Sequence, residues 1–285
     1  MLADQIVTGL LTGLIYGLMA LGLSVIFGVM RIVNFAHGEM AVVAMYAAWA
    51  ASRYLGLDPL LALLPIAALM FGAGYILQRG LIQPFVGRPD YMQFILLISV
   101  ALILTNGALL VFGPEARGIQ VDYAFDSYEI GPLLIDKVRL LAAGCALALT
   151  GLLLAFFRFT LTGKAIRAAA DNRTGAQVIG LDIGKLYAVT FGIGTASLGA
   201  AGVLMALLND AIPRLGPELT LLSFVIVIVG GLGSMAGALA GGVLIGVSEA
   251  LAGTLLQPSL KSMFSFGLLV LILLFRPQGL LGDRS

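Results

Sequence analysis

The chain opens on I-V-T-G-L-L-T-G-L-I-Y-G-L-M-A-L-G-L-S-V-I-F-G-V-M, Ile6 to Met30, and no charged residue interrupts it. A helix needs about 20 mostly apolar residues to cross the hydrocarbon core, so this run is read as a membrane-spanning helix. The five residues before it, Met1 to Gln5, carry no positive charge. The run is also too long for a signal-peptide apolar region and has no clean small-residue cleavage site, so it reads as a retained helix. Gly9, Gly13 and Gly17 recur at four-residue spacing. That spacing puts all three on one face, where a second helix can approach closely.

Eight further apolar segments follow: Met40–Ser52, Leu60–Leu77, Phe94–Phe112, Arg139–Phe157, Leu186–Leu208, Leu219–Val229, Ala236–Leu256 and Ser262–Phe275. Met40–Ser52 and Leu219–Val229 are short enough to be half-helices, which are tolerated at membrane depth only where protein or a cavity covers their ends. The expectation is an all-α polytopic transmembrane bundle of eight or nine spans, forming one permease domain over residues 1–285. No stretch between spans is large enough to hold a soluble catalytic domain. Further small-residue ridges run through Gly192, Ala196 and Ala200, and through Gly237 and Gly241.

Composition agrees. Hydrophobic residues make up 60% of the chain and charged residues 11%, against about 25% charged in a typical soluble domain. The mean hydropathy is +1.06. The 37 glycines are nearly double the usual share of ~7% and lie within apolar runs. A net charge of +1 supplies no basic field for nucleic acid. One cysteine, Cys145, excludes an internal disulfide framework, and one histidine, His37, excludes a histidine-rich metal site. No G-x-x-x-x-G-K-[ST] phosphate loop is present, so the chain is not itself an ATPase of that kind.

Charge sets the orientation, because short loops rich in Lys and Arg stay on the cytoplasmic side. Residues 158–185 hold Arg158, Lys164, Arg167, Arg173 and Lys185, and are expected inside. Residues 113–137 hold Glu115, Asp122, Asp126, Glu129 and Asp136 against Arg117 and Lys137, and are expected outside. The loop with Arg79 and Arg88 and the tail with Arg276 and Arg284 are expected inside. These placements agree if Leu219–Val229 spans fully, and they put the N-terminus outside.

Three stretches stand out from the apolar background. R-I-V-N-F-A-H-G-E, Arg31 to Glu39, places Asn34, His37 and Glu39 directly after a spanning helix. Polar residues at membrane depth are functional candidates, and the alternative is a solvated loop at the inner surface. A loop or gate is preferred to chemistry. V-G-G-L-G-S-M-A-G-A-L-A-G-G, Val229 to Gly242, is denser in glycine than packing requires. It is either a turn between helices or an unwound element of a pathway, with Gly230, Gly231 and Gly233 at its centre. In the basic loop, Lys164–Ala170 is a good short helix, Asp171-Asn172 and Gly175 offer a turn or cap, and Gly180 stops the next short helix after Ala176–Ile179. Glu249, near the end of an apolar segment, is either an interfacial residue or a membrane-depth carboxylate.

The pattern G-K-A-I-R-A-A-A-D-N-R-T-G-A-Q-V-I-G-L-D-I, Gly163 to Ile183, resembles the cytoplasmic coupling segment of LivH-type permeases. These serve ATP-binding-cassette importers for branched-chain amino acids. Ile15 to Glu39, Gly230 to Ala238 and F-R-P-Q-G-L-L-G, Phe275 to Gly282, extend the resemblance in order along nearly the whole chain. The outer loop matches nothing in the family. The resemblance implies a non-catalytic translocation subunit of the bacterial inner membrane. It implies a second, LivM-like permease, two cytoplasmic ATPases holding ATP and Mg, and an extracytoplasmic substrate-binding protein. It implies no cofactor or metal in this chain. Coupling to the ATPases would fall to the loop carrying Arg167, Asp171, Asn172, Arg173 and Gly180. Membrane lipid surrounds the bundle, and nucleic acid is not a partner.

Two other readings stay open. The same importer class carries urea, short amides or sugars in related systems. An ion-coupled secondary transporter would need buried ionisable residues, of which Glu249 is the main candidate. Ser24, Ser99, Thr105, Asn106, Thr190, Thr195 and Ser223 are scattered through the spans. They either line a weakly binding path or bond to their own helix backbones.

Overall fold

The computed structural model describes residues 2–124, 126–130, 133–255 and 261–282. Arg284 of the basic tail and Leu256 at the end of the eighth apolar segment lie outside them. Nine long helices coincide with the nine apolar segments: α1 Leu2–Met30, α2 His37–Leu55, α3 Pro59–Leu77, α4 Asp90–Phe112, α5 Lys137–Phe159, α8 Ile183–Ala206, α9 Leu215–Gly230, α10 Met235–Leu255 and α11 Lys261–Phe275. Two short helices, α6 Leu161–Asp171 and α7 Arg173–Val178, lie between α5 and α8. Among the described residues, six helices are long and apolar enough to cross a membrane: α1, α3 with its extension to Phe85, α4, α5, α8 and α10. Helices α9 and α11 are shorter apolar helices. The arrangement is a polytopic α-helical bundle.

Helices α1 and α8 form its buried centre, and α3, α4 and α5 expose most of their apolar surface. The glycine face of α1 packs against α10. A methyl group at Gly13 would lie 2.7 Å from the Gly242 carbonyl oxygen and from Val243 Cα, and one at Gly9 2.7 Å from Val247 Cα. Without a hydrophobic drive between helices in lipid, such backbone proximity supplies the packing contacts that hold them. The other ridges behave alike: Gly192 meets Phe71 of α3, and Gly237 meets Gly230. Four of the scattered polar residues, Ser99, Asn106, Thr190 and Ser223, bond to the carbonyl four residues back in their own helix. Thr195 does so too but also donates to the Met70 carbonyl of α3 at 2.9 Å. Ser24 is fully buried, and its hydroxyl has no hydrogen-bond partner among the described residues.

The acidic loop forms a hairpin, β1 Ser127–Ile130 paired antiparallel with β2 Leu133–Asp136. The N-terminus of α1 sits at the same end: the Leu134 backbone N–H donates to the Asp4 carboxylate at 3.4 Å. At this end, called outer after its charge, Asp58 caps α3 through the Leu60 N–H. Asp58 also accepts the Tyr123 hydroxyl proton, while Arg117 and Ala211 pair backbone to backbone. Burial and the Asp58 hydrogen bond both push the Tyr123 hydroxyl above its ordinary pKa.

Helix α2 does not begin at the inner surface. His37, its first residue, bonds to the Met19 carbonyl. Met19 lies eleven residues before the end of α1, about 16 Å at 1.5 Å per residue. Arg31 ends α1 with a left-handed φ of 57°, and residues 31–36 run back into the bundle to start α2 at half depth. Helix α9 starts against the same point. A Cβ on Gly216 would lie 2.7 Å from Glu39 Cγ. The two segments read as short therefore begin against one another inside the protein. Residues 212–214 lead into α9 from the Arg117–Ala211 pair.

Candidate functional site

Two polar regions stand out against the apolar bundle. The first is the junction of α2 and α9. Asn34, His37 and Glu39 are all buried, so the alternative of a solvated inner loop does not hold: these side chains lie inside the bundle against α1 and α9. The Asn34 Oδ1 accepts from the Ala36 N–H at 3.1 Å and closes the turn before α2. A carbonyl can only accept, so His37 donates through Nε2 to Met19 at 3.0 Å, and its Nδ1 has no partner among the described residues. The Gly38 N–H donates to Thr220 Oγ1 at 2.8 Å, and Thr220 donates to Glu39 Oε2 at 3.0 Å. One hydroxyl thus satisfies an orphan donor of the α2 N-terminus and links it to a carboxylate in the same first turn, where the helix dipole favours negative charge. The link needs close backbones: a Cβ on Gly38 would strike the Gly216 carbonyl and the Thr220 nitrogen. Sequence reasoning missed Thr220. Its only signal was a hydroxyl in the first turns of a short apolar segment.

The Gly230–Gly233 run is a turn. Helix α9 ends at Gly230 and α10 starts at Met235, while Gly231 and Gly233 take φ of 110° and 83°, angles that glycine adopts without a Cβ clash. The turn is locked by the chain's end: Leu280 N–H donates to Val229 O and Leu281 N–H to Gly230 O, at 2.8 and 2.9 Å. A Cβ on Gly28 would lie 3.2 Å from Gly233. The end of α1, the glycine run and the F-R-P-Q-G-L-L-G tail, read separately along the sequence, are one structural unit at the inner end. None of Gly230, Gly231 and Gly233 joins the Asn34–His37–Glu39 cluster.

The second region is the α6–α7 pair. Thr160 caps α6 by accepting from the Gly163 N–H, and Asn172 caps α7 by accepting from the Gly175 N–H at 2.8 Å. Gly180, at φ 85°, closes α7 as the Gly180 and Leu181 N–H groups return to Gln177 and Ala176. Ile166, Ala169 and Ala176 anchor the pair to the bundle. Arg167, Asp171, Asn172, Arg173 and Gly180 all lie on its exposed side. Arg173 turns back over the Tyr187 ring at 5.9 Å, so part of its role is to hold α7 on α8. Beside these polar groups, Val178 and Ile179 are 81% and 72% exposed. Sequence reasoning placed both in the short helix Ala176–Ile179 and gave neither a role.

Enclosed helices, two helix starts meeting at half depth and a capped, exposed helix pair make up a bundle of the kind that crosses a membrane. A family model described as the permease component of branched-chain amino acid transport systems matches residues 5–273. The chain belongs to this family and is a multi-pass inner-membrane protein. It is 32% identical to the high-affinity branched-chain amino acid permease protein BraD of Pseudomonas aeruginosa, over 98% of this chain and 95% of BraD. It is 30% identical to the corresponding LivH protein of Escherichia coli K12, with the same coverage. A probable LivH of Methanocaldococcus jannaschii is 26% identical over 93% of this chain and 88% of its own. No solved structure matches the chain.

Proposed function

We propose that this chain is the translocation subunit of an ATP-driven importer of branched-chain amino acids, and that α6–α7 is where a cytoplasmic ATPase docks. The observation that carries the coupling role is the pair's construction. It is a capped, anchored helix pair whose outward side carries Arg167, Asp171 and Asn172 beside exposed Val178 and Ile179. Exposed apolar side chains rimmed by polar ones mark interaction sites. The anchoring of Ile166 and Ala169 transmits displacement of the pair to the bundle, since α6 packs against α1, α5 and α8.

In this reading the chain makes and breaks no covalent bond. ATP and magnesium are held by two partner ATPases, a second related permease encloses the path, and an extracytoplasmic binding protein delivers substrate. Closure of the ATPases shifts α6–α7, and the helix starts of α2 and α9 are the elements whose junction opens and closes. Copurification from the native membrane tests the assembly: the ATPases are expected with the wild-type chain and lost with Val178→Asp, while the variant remains inserted. Undiminished ATPase recovery with Val178→Asp would move the docking surface elsewhere.

A further inference from the structure

Two adjoining cavities of about 340 and 300 Å³ lie toward the outer end, between α1, α9, α10 and the start of α11. They share Tyr16, Asn209, Glu249 and Lys261. Glu249 accepts from Ser265 Oγ at 3.0 Å. Among the described residues Lys261 makes no ion pair, and its stem folds over Gly253. Arg139, which also borders the second cavity, is already committed to Asp136 at 2.8 Å and to Thr12. Glu249 and Lys261 therefore face one space, coupled electrostatically but not in ion-pair contact, and Glu218 also borders the larger cavity. Met45, Leu219, Leu222 and Phe266 form an apolar wall beside them.

A charged group at membrane depth is costly unless it is paired. A ligand carrying both charges pairs with both groups at once, which neither an anion nor a cation alone does. The volumes sit at the lower end of small-molecule sites, and the apolar wall suits a branched aliphatic side chain. We propose that these cavities form an outer way-station for a zwitterion, with Glu249 facing its ammonium and Lys261 its carboxylate. The inference rests on the reading of the chain as an amino-acid permease and gives that reading a place where substrate is first held. An ethanolamine phospholipid headgroup has the same paired charges, so the test separates the two.

The assembled importer, with both permeases, ATPases and binding protein, is placed in proteoliposomes free of ethanolamine lipid. Glu249→Gln and Lys261→Gln are each expected to lower leucine uptake at least tenfold, with copurification of the other subunits intact. In a Cys145→Ser, Ser262→Cys importer, millimolar leucine is expected to slow thiol modification. Neither 4-methylpentanoate, which lacks the amine, nor isopentylamine, which lacks the carboxylate, should do so. Wild-type uptake with both neutral variants at the wild-type rate overturns the site alone. Protection by added ethanolamine lipid but not by leucine assigns it to lipid and overturns it as a substrate site. Failure of the wild-type importer to carry any branched-chain amino acid overturns the functional reading, and the site with it.

Discussion

The exposed α6–α7 pair and the buried α2–α9 junction are both polar, both contain a glycine, and behave in opposite ways. In the pair, every cap is local: Thr160 and Asn172 each bond three residues ahead, and Gly180 has open space around it. In the junction the decisive bonds span 181 and 182 residues of chain, and Gly38 has backbone against it on two sides. Local bonding lets the pair keep its shape while a partner pushes it. Long-range bonding makes the junction report on how two helices sit together. On the proposed reading, the first region is the one moved and the second the one that responds.

The sharpest way to break the contrast is a side chain at each glycine. Gly38→Val must displace the Gly216 carbonyl and Thr220 backbone, and overpacking of this kind costs typically ~1–3 kcal/mol or more. Membrane abundance and thermal stability are expected to fall steeply. Gly180→Val meets no neighbour and suffers only its left-handed backbone, a local cost of roughly 1–2 kcal/mol. That variant is expected at wild-type abundance in the membrane, with leucine uptake reduced at least tenfold. The same defect in both variants, whether in abundance or in uptake alone, would erase the distinction.

A smaller change sharpens it. Thr220→Val keeps the shape but strips Gly38 N–H and Glu39 of their shared partner, at a cost of about 1–3 kcal/mol for the stranded groups. A lowered melting temperature is expected, and an unchanged one would mean that the hydroxyl link is idle. The smallest effect belongs to the outer end. Tyr123→Phe removes one hydroxyl bond to Asp58, worth about 1 kcal/mol. The native environment raises the Tyr123 pKa above its ordinary 10.0, so its contribution is fully present below pH 10.0 and is lost as pH rises through the raised value. The stability difference between wild type and variant should therefore shrink in strong alkali. A difference that grows there would contradict the sign.

What was legible in the sequence follows the same division. The nine apolar segments, the α1 glycine face and the α6–α7 caps were readable because each depends on residues within a few turns. The depth at which α2 begins was not. A chain reversal at Arg31 and a bond from His37 back to Met19 leave no periodic trace, and R-I-V-N-F-A-H-G-E has the composition of a surface loop. The glycine run left turn and unwound path equally open. Its partner, the tail near Leu280 and Leu281, lies some fifty residues away. The exposure of Val178 and Ile179 was not legible, because apolarity alone does not say which side of a short helix the protein covers.

The claim that binds these regions together is that ATP hydrolysis on partner chains, received at α6–α7, drives import. It is tested most directly by leucine uptake into proteoliposomes carrying the assembled importer and its binding protein, with ATP supplied to the ATPase side and no ion gradient. Uptake that requires ATP and disappears with Gly180→Val is the predicted result. Uptake that persists without ATP and follows an imposed proton or sodium gradient would contradict it and make the chain an ion-coupled transporter.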